Sequence, residues 1–361
     1  MSLPLIELTG SPYEQGKQHG ALLQPQIAHN VDVYFRRFLQ EGGVARAEVL
    51  RRAERYAAAI ARQNAAYASG MDGIAAGAGI AYEEIVALNV RYEILYYQYA
   101  VNKVAAADGC TSFALAPQAT EGGHLLLGQN WDWIPEVAGA VVHTTHPDGF
   151  QTLAFTEAGI FGGKIGLNTA GVGLAINGIT TTADEWTRLE KPFHLRCYEI
   201  LRSRSLAEAL QIVTGTPRSC SGNYLIAQVP DRAVNVEAAP DVASRLGWQQ
   251  GQIVHANHFV DPDGLGVTEP PDAEHRQRSC RRQQRLEQLL ATKRPVSLSG
   301  VQAALRDHST APRHICRHED PAAPVDEQYR TVTSIVLDLA EGELYATDGP
   351  PCENEYALFA L

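Results

Sequence analysis

The residues of this chain best equipped for covalent chemistry lie together at Asp108-Gly109-Cys110-Thr111-Ser112. Cys110 follows an Ala-rich stretch, Val104 to Ala107, and opens an alternating run, Thr111 to Ala116, that reads as a strand. A thiol in that place can attack the carbonyl of the residue before it. Such an attack asks for a small, conformationally free neighbour, and Gly109 is both. The cut would leave a cysteine carrying its own α-amine. An α-amine titrates near pH ~8 in a free peptide, so it can act as base for its own thiol without a histidine. The same residues also read as a plain turn before a buried strand, with Cys110 as a small hydrophobe.

Other residue sets offer competing chemistry. Twelve histidines include the pairs His143/His146, His255/His258 and His314/His318. Zinc sites use such pairs. However, His143 and His255 fall in strand-like segments, where residues three apart face opposite sides, and the chain has no HExxH helix. The six cysteines (Cys110, Cys197, Cys220, Cys280, Cys316, Cys352) are scattered without a CxxC pair. That speaks against a disulfide scaffold or a cysteine zinc site. The expectation is an enzyme without metal or cofactor.

The bulk composition narrows the partners. With 361 residues, 45% of them hydrophobic, the chain can bury a large core. A net charge of −11 with both signs mixed argues against non-specific nucleic-acid binding. The most basic stretch, Arg276 to Arg285, reads as the polar face of a helix. No apolar run approaches the roughly 18 residues a membrane helix needs. The short apolar start, Leu3 to Leu8, carries Glu7 and does not read as a secretory signal. A cytoplasmic location is the expectation.

The elements that must position Cys110 change character near residue 108. Before it the pattern is helical. Ser11-Pro12-Tyr13-Glu14 is a capping box with Pro at the first helical position, opening a helix expected to continue towards Phe38. Glu48 to Tyr67 and Tyr82 to Tyr99 carry helical periodicity, with Met71 to Ile80 as a Gly/Ala link. After Cys110 short strands alternate with Gly turns: Leu125 to Trp133, Val141 to Thr144, Thr152 to Phe155, Lys164 to Asn168 and Val172 to Asn177. Helices return at Phe193 to Arg202 and Leu206 to Val213, then strands at Tyr224 to Val229 and Ala233 to Glu237. Helices follow at Ala273 to Leu290 and Ser299 to Arg306. A loop-rich stretch, Asp307 to Gln328, leads to closing strands at Thr331 to Leu339, Glu343 to Thr347 and Tyr356 to Leu361. Strands in hairpin-connected runs and helices in separate runs predict antiparallel sheets layered with helices.

Several of these segments, in order, resemble one family. Gly10-Ser11-Pro12-Tyr13-Glu14-Gln15-Gly16 with His19-Gly20, then Asp108-Gly109-Cys110-Thr111, then Gly128-Gln129-Asn130-Trp131-Asp132 form the first blocks. Thr156-Glu157-Ala158-Gly159-Ile160, Lys164 to Val172, His255-Ala256-Asn257-His258 and Ile315-Cys316-Arg317 follow. Together they resemble the isopenicillin N acyltransferase family of autoproteolytic cysteine N-terminal-nucleophile hydrolases, from about residue 10 to the C-terminus.

The resemblance implies an α+β fold, the four-layer αββα sandwich. Residues 1–109 would form a helical segment that stays associated after a cut between Gly109 and Cys110, and residues 110–361 the catalytic core. It implies that Cys110 is the nucleophile of a thioester mechanism and that Asn257 holds the oxyanion. Asp132 would bind the new α-amine or position groups for the cut, with Asn130 in support. Arg330 aligns with an arginine near the active site, and Arg317 is the competing candidate. Thr111, Ser112 and Glu157 are further candidates for lining the site. Each also has a structural reading: Asn257 a turn residue after a strand, Asp132 a buried cap, Arg330 a surface arginine at a strand start. The substrate class is a small N-acyl amide or acyl thioester, and association into a homo-oligomer is compatible with the sequence. The rival readings are a metal-dependent amidohydrolase using the histidine pairs, a papain-like cysteine protease, which wants its cysteine at a helix N-terminus, and a non-catalytic binding module.

Overall fold

The computed structural model describes residues 3–102, 109–309, 314–324 and 328–361. Asp108 and the Ala-rich stretch before it lie outside them. The described elements run β1 (Leu5–Thr9), α1 (Pro12–Leu22), α2 (Gln24–Gln40), α3 (Arg46–Gln63), α4 (Ala65–Ala78), α5 (Tyr82–Asn89) and α6 (Arg91–Asn102). After the junction come β2 (Thr111–Leu115), β3 (Leu126–Trp133), β4 (Gly139–Thr145), β5 (Gln151–Glu157), β6 (Ile165–Asn168), β7 (Val172–Asn177), α7 (Phe193–Arg202) and α8 (Leu206–Thr214). The chain closes with β8 (Gly222–Gln228), β9 (Arg232–Ala238), β10 (Ala243–Leu246), β11 (Gln252–His255), α9 (Pro262–Leu265), α10 (Ala273–Thr292), α11 (Leu298–Leu305), β12 (Arg330–Asp338), β13 (Glu343–Ala346) and β14 (Ala357–Ala360).

The strands form two sheets. One has the order β1-β4-β5-β6-β7-β8-β9-β10, the other β11-β2-β3-β12-β13-β14. Among the pairings of these strands only β1 against β4 is parallel. The sheets pack face to face through β2, β3 and β12 against β6, β7 and β8. Helices α7 and α8 cover the outer face of the larger sheet, and α10 covers that of the smaller, with α11 packed on α10. The fold is α+β, with the four-layer αββα arrangement.

Period-2 alternation on β2 assigns its side chains to two cores. Phe113 and Leu115 join Leu286, Leu290, Val301 and Leu305 under α10 and α11. Cys110 and Ala114 point instead into the main core between the sheets, with Leu127, Ala175 and Leu225. The thiol is therefore aimed inward by strand parity alone.

The N-terminal third departs from its sequence reading in three places. The capping box of α1 forms as expected, but the helix stops at Leu22 and α2 begins anew with Pro25 in its first turn, where a missing N–H costs nothing. The Gly/Ala stretch from Met71 is not a link but the body of α4. Its glycines let α1 and α4 touch backbone to backbone: a Cβ on Gly73 would stand 2.2 Å from Tyr13 O, one on Gly77 2.1 Å from Lys17 O, and one on Gly16 2.0 Å from Gly70 O. Close packing offsets the poor helix propensity of glycine. Finally, the segment ahead of residue 110 is not wholly helical, because Leu5–Thr9 supplies the edge strand β1.

Candidate active site

Cys110 sits one residue before β2, at the end of a strand held between β11 and β3. It is 3% exposed, and its Sγ lies 3.6 Å from the backbone oxygen of Asp132 on β3. A strand, not a helix N-terminus, follows the cysteine, unlike the papain-like arrangement.

Asp132 is fully buried. Thr331 of β12 donates its hydroxyl to Asp132 Oδ1 at 2.7 Å, and the same hydroxyl accepts the Arg317 N–H at 2.9 Å. The Thr331 N–H returns a bond to Arg317 O at 3.0 Å. Arg317 is thereby pinned to the strand that holds the aspartate, with its guanidinium carbon 5.1 Å from the Tyr329 ring centroid. Both groups converge on the residue before the cysteine: a Cβ added to Gly109 would lie 2.8 Å from Asp132 Oδ2 and 3.2 Å from Arg317 Nη1. A side chain at this position would push these two groups aside.

Arg330 is not brought to this junction. Its side chain faces Glu319 at 3.4 Å and is 38% exposed. Adjacent strand residues point to opposite sides, and since Thr331 is directed at Asp132, Arg330 is directed away. Asn130 lies on the same side of β3 as Asp132 and donates to Leu305 O and Ile315 O, both at 2.8 Å. It anchors the segment that carries Arg317. Thr111 is buried beside Asn130 on the paired strand. Ser112 turns inward and donates to Asn177 Oδ1 at 2.7 Å, joining an asparagine chain through Asn223 and Asn235.

Asn257 follows β11. Arg282 of α10 donates to its Oδ1 at 2.8 Å. A guanidinium only donates, so the amide must turn its NH₂ the other way, where it meets Gly178 O at 2.9 Å. Gly178 lines two adjoining spaces. One, of about 20 Å³, is bounded by Cys110, Trp131, Trp133, Arg91, Tyr96 and Phe193, enough for about one water. The other, of about 320 Å³, is lined by Asn257, Ile179, Pro270, Pro271, His275 and Arg276, a size and apolar-polar mix suited to a small molecule.

Behind the thiol lies a buried charge cluster of which sequence reasoning named Glu157 but missed Arg91 and Lys164. Glu157 receives Arg91 Nε at 2.9 Å and Lys164 Nζ at 2.5 Å, and the Tyr34 hydroxyl donates to it. Burial alone would raise the Glu157 carboxyl, but the Arg91 and Lys164 cations hold it below the ordinary range. Lys164 is pushed down by burial and by Arg91, against the pull of Glu157. Its Nζ lies 3.1 Å from the centroid of the Trp131 ring, which walls the Cys110 space. The one signal in the sequence was a lysine placed directly before the short run Ile165-Gly166-Leu167.

Two of the three histidine pairs bind elsewhere. His143 contacts Gln151 and His146 contacts Thr152. His255 and His258 do approach each other, their rings stacked at 5.9 Å, because His258 lies beyond the end of β11. Yet His255 pairs with Glu237 and His258 with Ser279.

The family described as acyl-coenzyme A:6-aminopenicillanic acid acyl-transferase matches residues 119–351. The chain belongs to that family. The matched span holds Asp132, Asn257 and Arg317 and begins after Cys110. The acyl-coenzyme A:6-aminopenicillanic-acid-acyltransferase 40 kDa form of Emericella nidulans is 29% identical over 325 residues, 86% of this chain and 84% of that protein. Among solved structures, the N-acylethanolamine-hydrolyzing acid amidase ortholog of Caenorhabditis elegans is 14% identical, covers 64% of this chain and 93% of its own, and has a TM-score of 0.47. A conjugated bile acid hydrolase mutant from Clostridium perfringens is 13% identical, covers 69% and 92%, and also scores 0.47. This member of the acyltransferase family has no described helix long and apolar enough to cross a membrane.

Proposed function

We propose that this acyltransferase-family protein is a cysteine N-terminal-nucleophile enzyme that matures by cutting its own Gly109–Cys110 bond. The Cys110 sulfur attacks the Gly109 carbonyl carbon, the C–N bond breaks, and the nitrogen leaves as the Cys110 α-amine. Water then hydrolyses the thioester. The mature thiol, with its α-amine as base, attacks the carbonyl of a small N-acyl amide or acyl thioester. Asn257 Nδ2 and a backbone N–H hold the oxyanion, and water or an acceptor amine takes the acyl group.

The observation that carries this reading is the crowding of Gly109 by Asp132 Oδ2 and Arg317 Nη1 directly before a thiol aimed inward. A carboxylate and a guanidinium at the scissile peptide can orient the attacked carbonyl and receive the freed amine. We assign the junction arginine to Arg317 in place of Arg330 on the same ground. The cavity beside Asn257 supplies room for the acyl or acceptor group.

Intact-mass spectrometry of the purified chain tests the cut. Two polypeptides dividing between Gly109 and Cys110, absent from Cys110→Ala, are expected. A wild-type chain that stays whole yet hydrolyses amides would overturn the maturation step, and an acyl adduct on a residue other than Cys110 would overturn the nucleophile.

A further inference from the structure

Four side chains from three parts of the sequence meet at the rim of the smaller sheet: His308 just after α11, Cys316 and His318 on the segment leading to β12, and Cys352 between β13 and β14. Their ligand atoms all lie within 4.8 Å of one another. Cys316 Sγ and Cys352 Sγ are 3.5 Å apart. His318 Nε2 is 3.1 Å from Cys352 Sγ, 3.8 Å from Cys316 Sγ and 3.1 Å from His308 Nε2. A tetrahedral zinc with bonds of ~2.3 Å to sulfur and ~2.0 Å to nitrogen sets ligand atoms about 3.3–3.8 Å apart. Those four distances lie within about 0.5 Å of that spacing, and His308 reaches the two sulfurs within 4.8 Å. We propose that His308, Cys316, His318 and Cys352 bind one zinc ion.

The surrounding chemistry agrees. Two thiolates and two neutral imidazoles suit a borderline-soft divalent ion and not magnesium or calcium, and two thiolates balance its charge. The remaining ring nitrogen of His318, Nδ1, faces Glu353 Oε1 at 3.4 Å, the outer partner that metal-bound imidazoles commonly have. A disulfide between Cys316 and Cys352 would require the sulfurs to close to ~2.05 Å, and it would leave the convergence of two imidazoles on the same point without a cause. Four protein ligands leave no open position, so the ion is structural. It ties the connection between α11 and β12, which has no helix or strand of its own among its described residues, to the β13–β14 turn. That connection carries Arg317, directly after the ligand Cys316. The sequence spoke against a cysteine zinc site because Cys316 and Cys352 sit 36 residues apart, far outside any CxxC spacing.

The test is independent of Cys110 chemistry. The full chain is purified under reducing conditions and its zinc measured by mass spectrometry of the metal. The apo form is then titrated with Co²⁺ and its absorption recorded. About one ion per chain is expected, with a thiolate-to-cobalt band and the strong visible bands of a tetrahedral site. Cys110→Ala keeps them. Cys352→Ser and His308→Ala lose zinc at least tenfold more readily to a chelator. Wild-type protein that takes up neither ion, a Cys316–Cys352 disulfide in the reduced preparation, or unchanged retention in both variants overturns the site. The wild-type cobalt spectrum decides the matter even if a variant fails to fold.

Discussion

The Thr331 hydroxyl donates to Asp132 Oδ1 across 2.7 Å. The Thr331 hydroxyl oxygen also accepts the Arg317 backbone N–H, so one hydroxyl ties Asp132 to the backbone of Arg317 beside the Gly109–Cys110 bond. Thr331→Val keeps the shape and removes both bonds. It should destabilise the fold by about 1–3 kcal/mol and slow appearance of the cut fragments, whereas Thr331→Ser restores cutting. Urea midpoints and a mass-spectrometric time course measure the two effects. Equal cutting rates in Val and Ser variants would remove Thr331 from the maturation machinery.

Arg282 holds the Asn257 amide in one orientation. Arg282→Met leaves that amide free to reverse, putting an oxygen where a donor is needed. The expected result is a kcat lower by about ten- to a hundredfold with KM nearly unchanged, since a donor to a developing oxyanion acts mainly in the transition state. Asn257→Ala should lose about as much, and the double variant little more. Additive losses would show that the two residues act separately.

The cluster of Glu157, Arg91 and Lys164 is almost completely buried. Glu157→Gln leaves two cations facing a neutral amide and should cost about 3–5 kcal/mol of stability. Lys164→Met, which retains the Arg91 pair, should cost distinctly less. Denaturant unfolding of the two variants checks the order, and a reversed order would count against this electrostatic account.

His19 accepts the Gly159 N–H on Nε2 at 3.1 Å. Burial pushes its imidazole down to about 4, from 6.5. The unfolded chain therefore takes up this proton first as the pH falls. The contribution of neutral His19 is fully present above pH ~6.5 and drains away between ~6.5 and ~4, by up to about 3 kcal/mol. His19→Gln, whose amide oxygen can accept the same N–H, should flatten the stability-pH curve across that window. An unchanged slope would show that other groups govern the acid response.

The residues legible in the sequence were those whose neighbours in the chain are also their neighbours in space. Asn130 and Asp132 share one strand, whereas Cys110 was singled out by the ordered blocks elsewhere in the chain and only weakly by Gly109 and the strand after it. The strands after residue 110 were readable because turn glycines separate short apolar runs. The choice between Arg317 and Arg330 was not readable, because it depends on which face of β12 Thr331 occupies, and that parity is set by β3. Arg91 and Lys164 could not be matched to Glu157, since each looked like an isolated charge until helix α6 was laid against the sheet. The glycines of α4 read as a break because their purpose is contact with α1, fifty and more residues earlier.

Strand β1 has a consequence for the life history of the enzyme. Leu5–Thr9 adds to the larger sheet alongside β4, so the piece ahead of Gly109 is woven into the same sheet as the piece behind it. The proposed cut at Cys110 would convert a single tethered chain into two interlocked ones without releasing either. Before the cut, β1 finds β4 at the high local concentration its own chain supplies; afterwards, an unfolded enzyme must bring together two free molecules. Under the proposed maturation the step would work as a ratchet: the chain would have to fold in order to cut itself, and once cut it would have lost the easy route back to the fold that it came from.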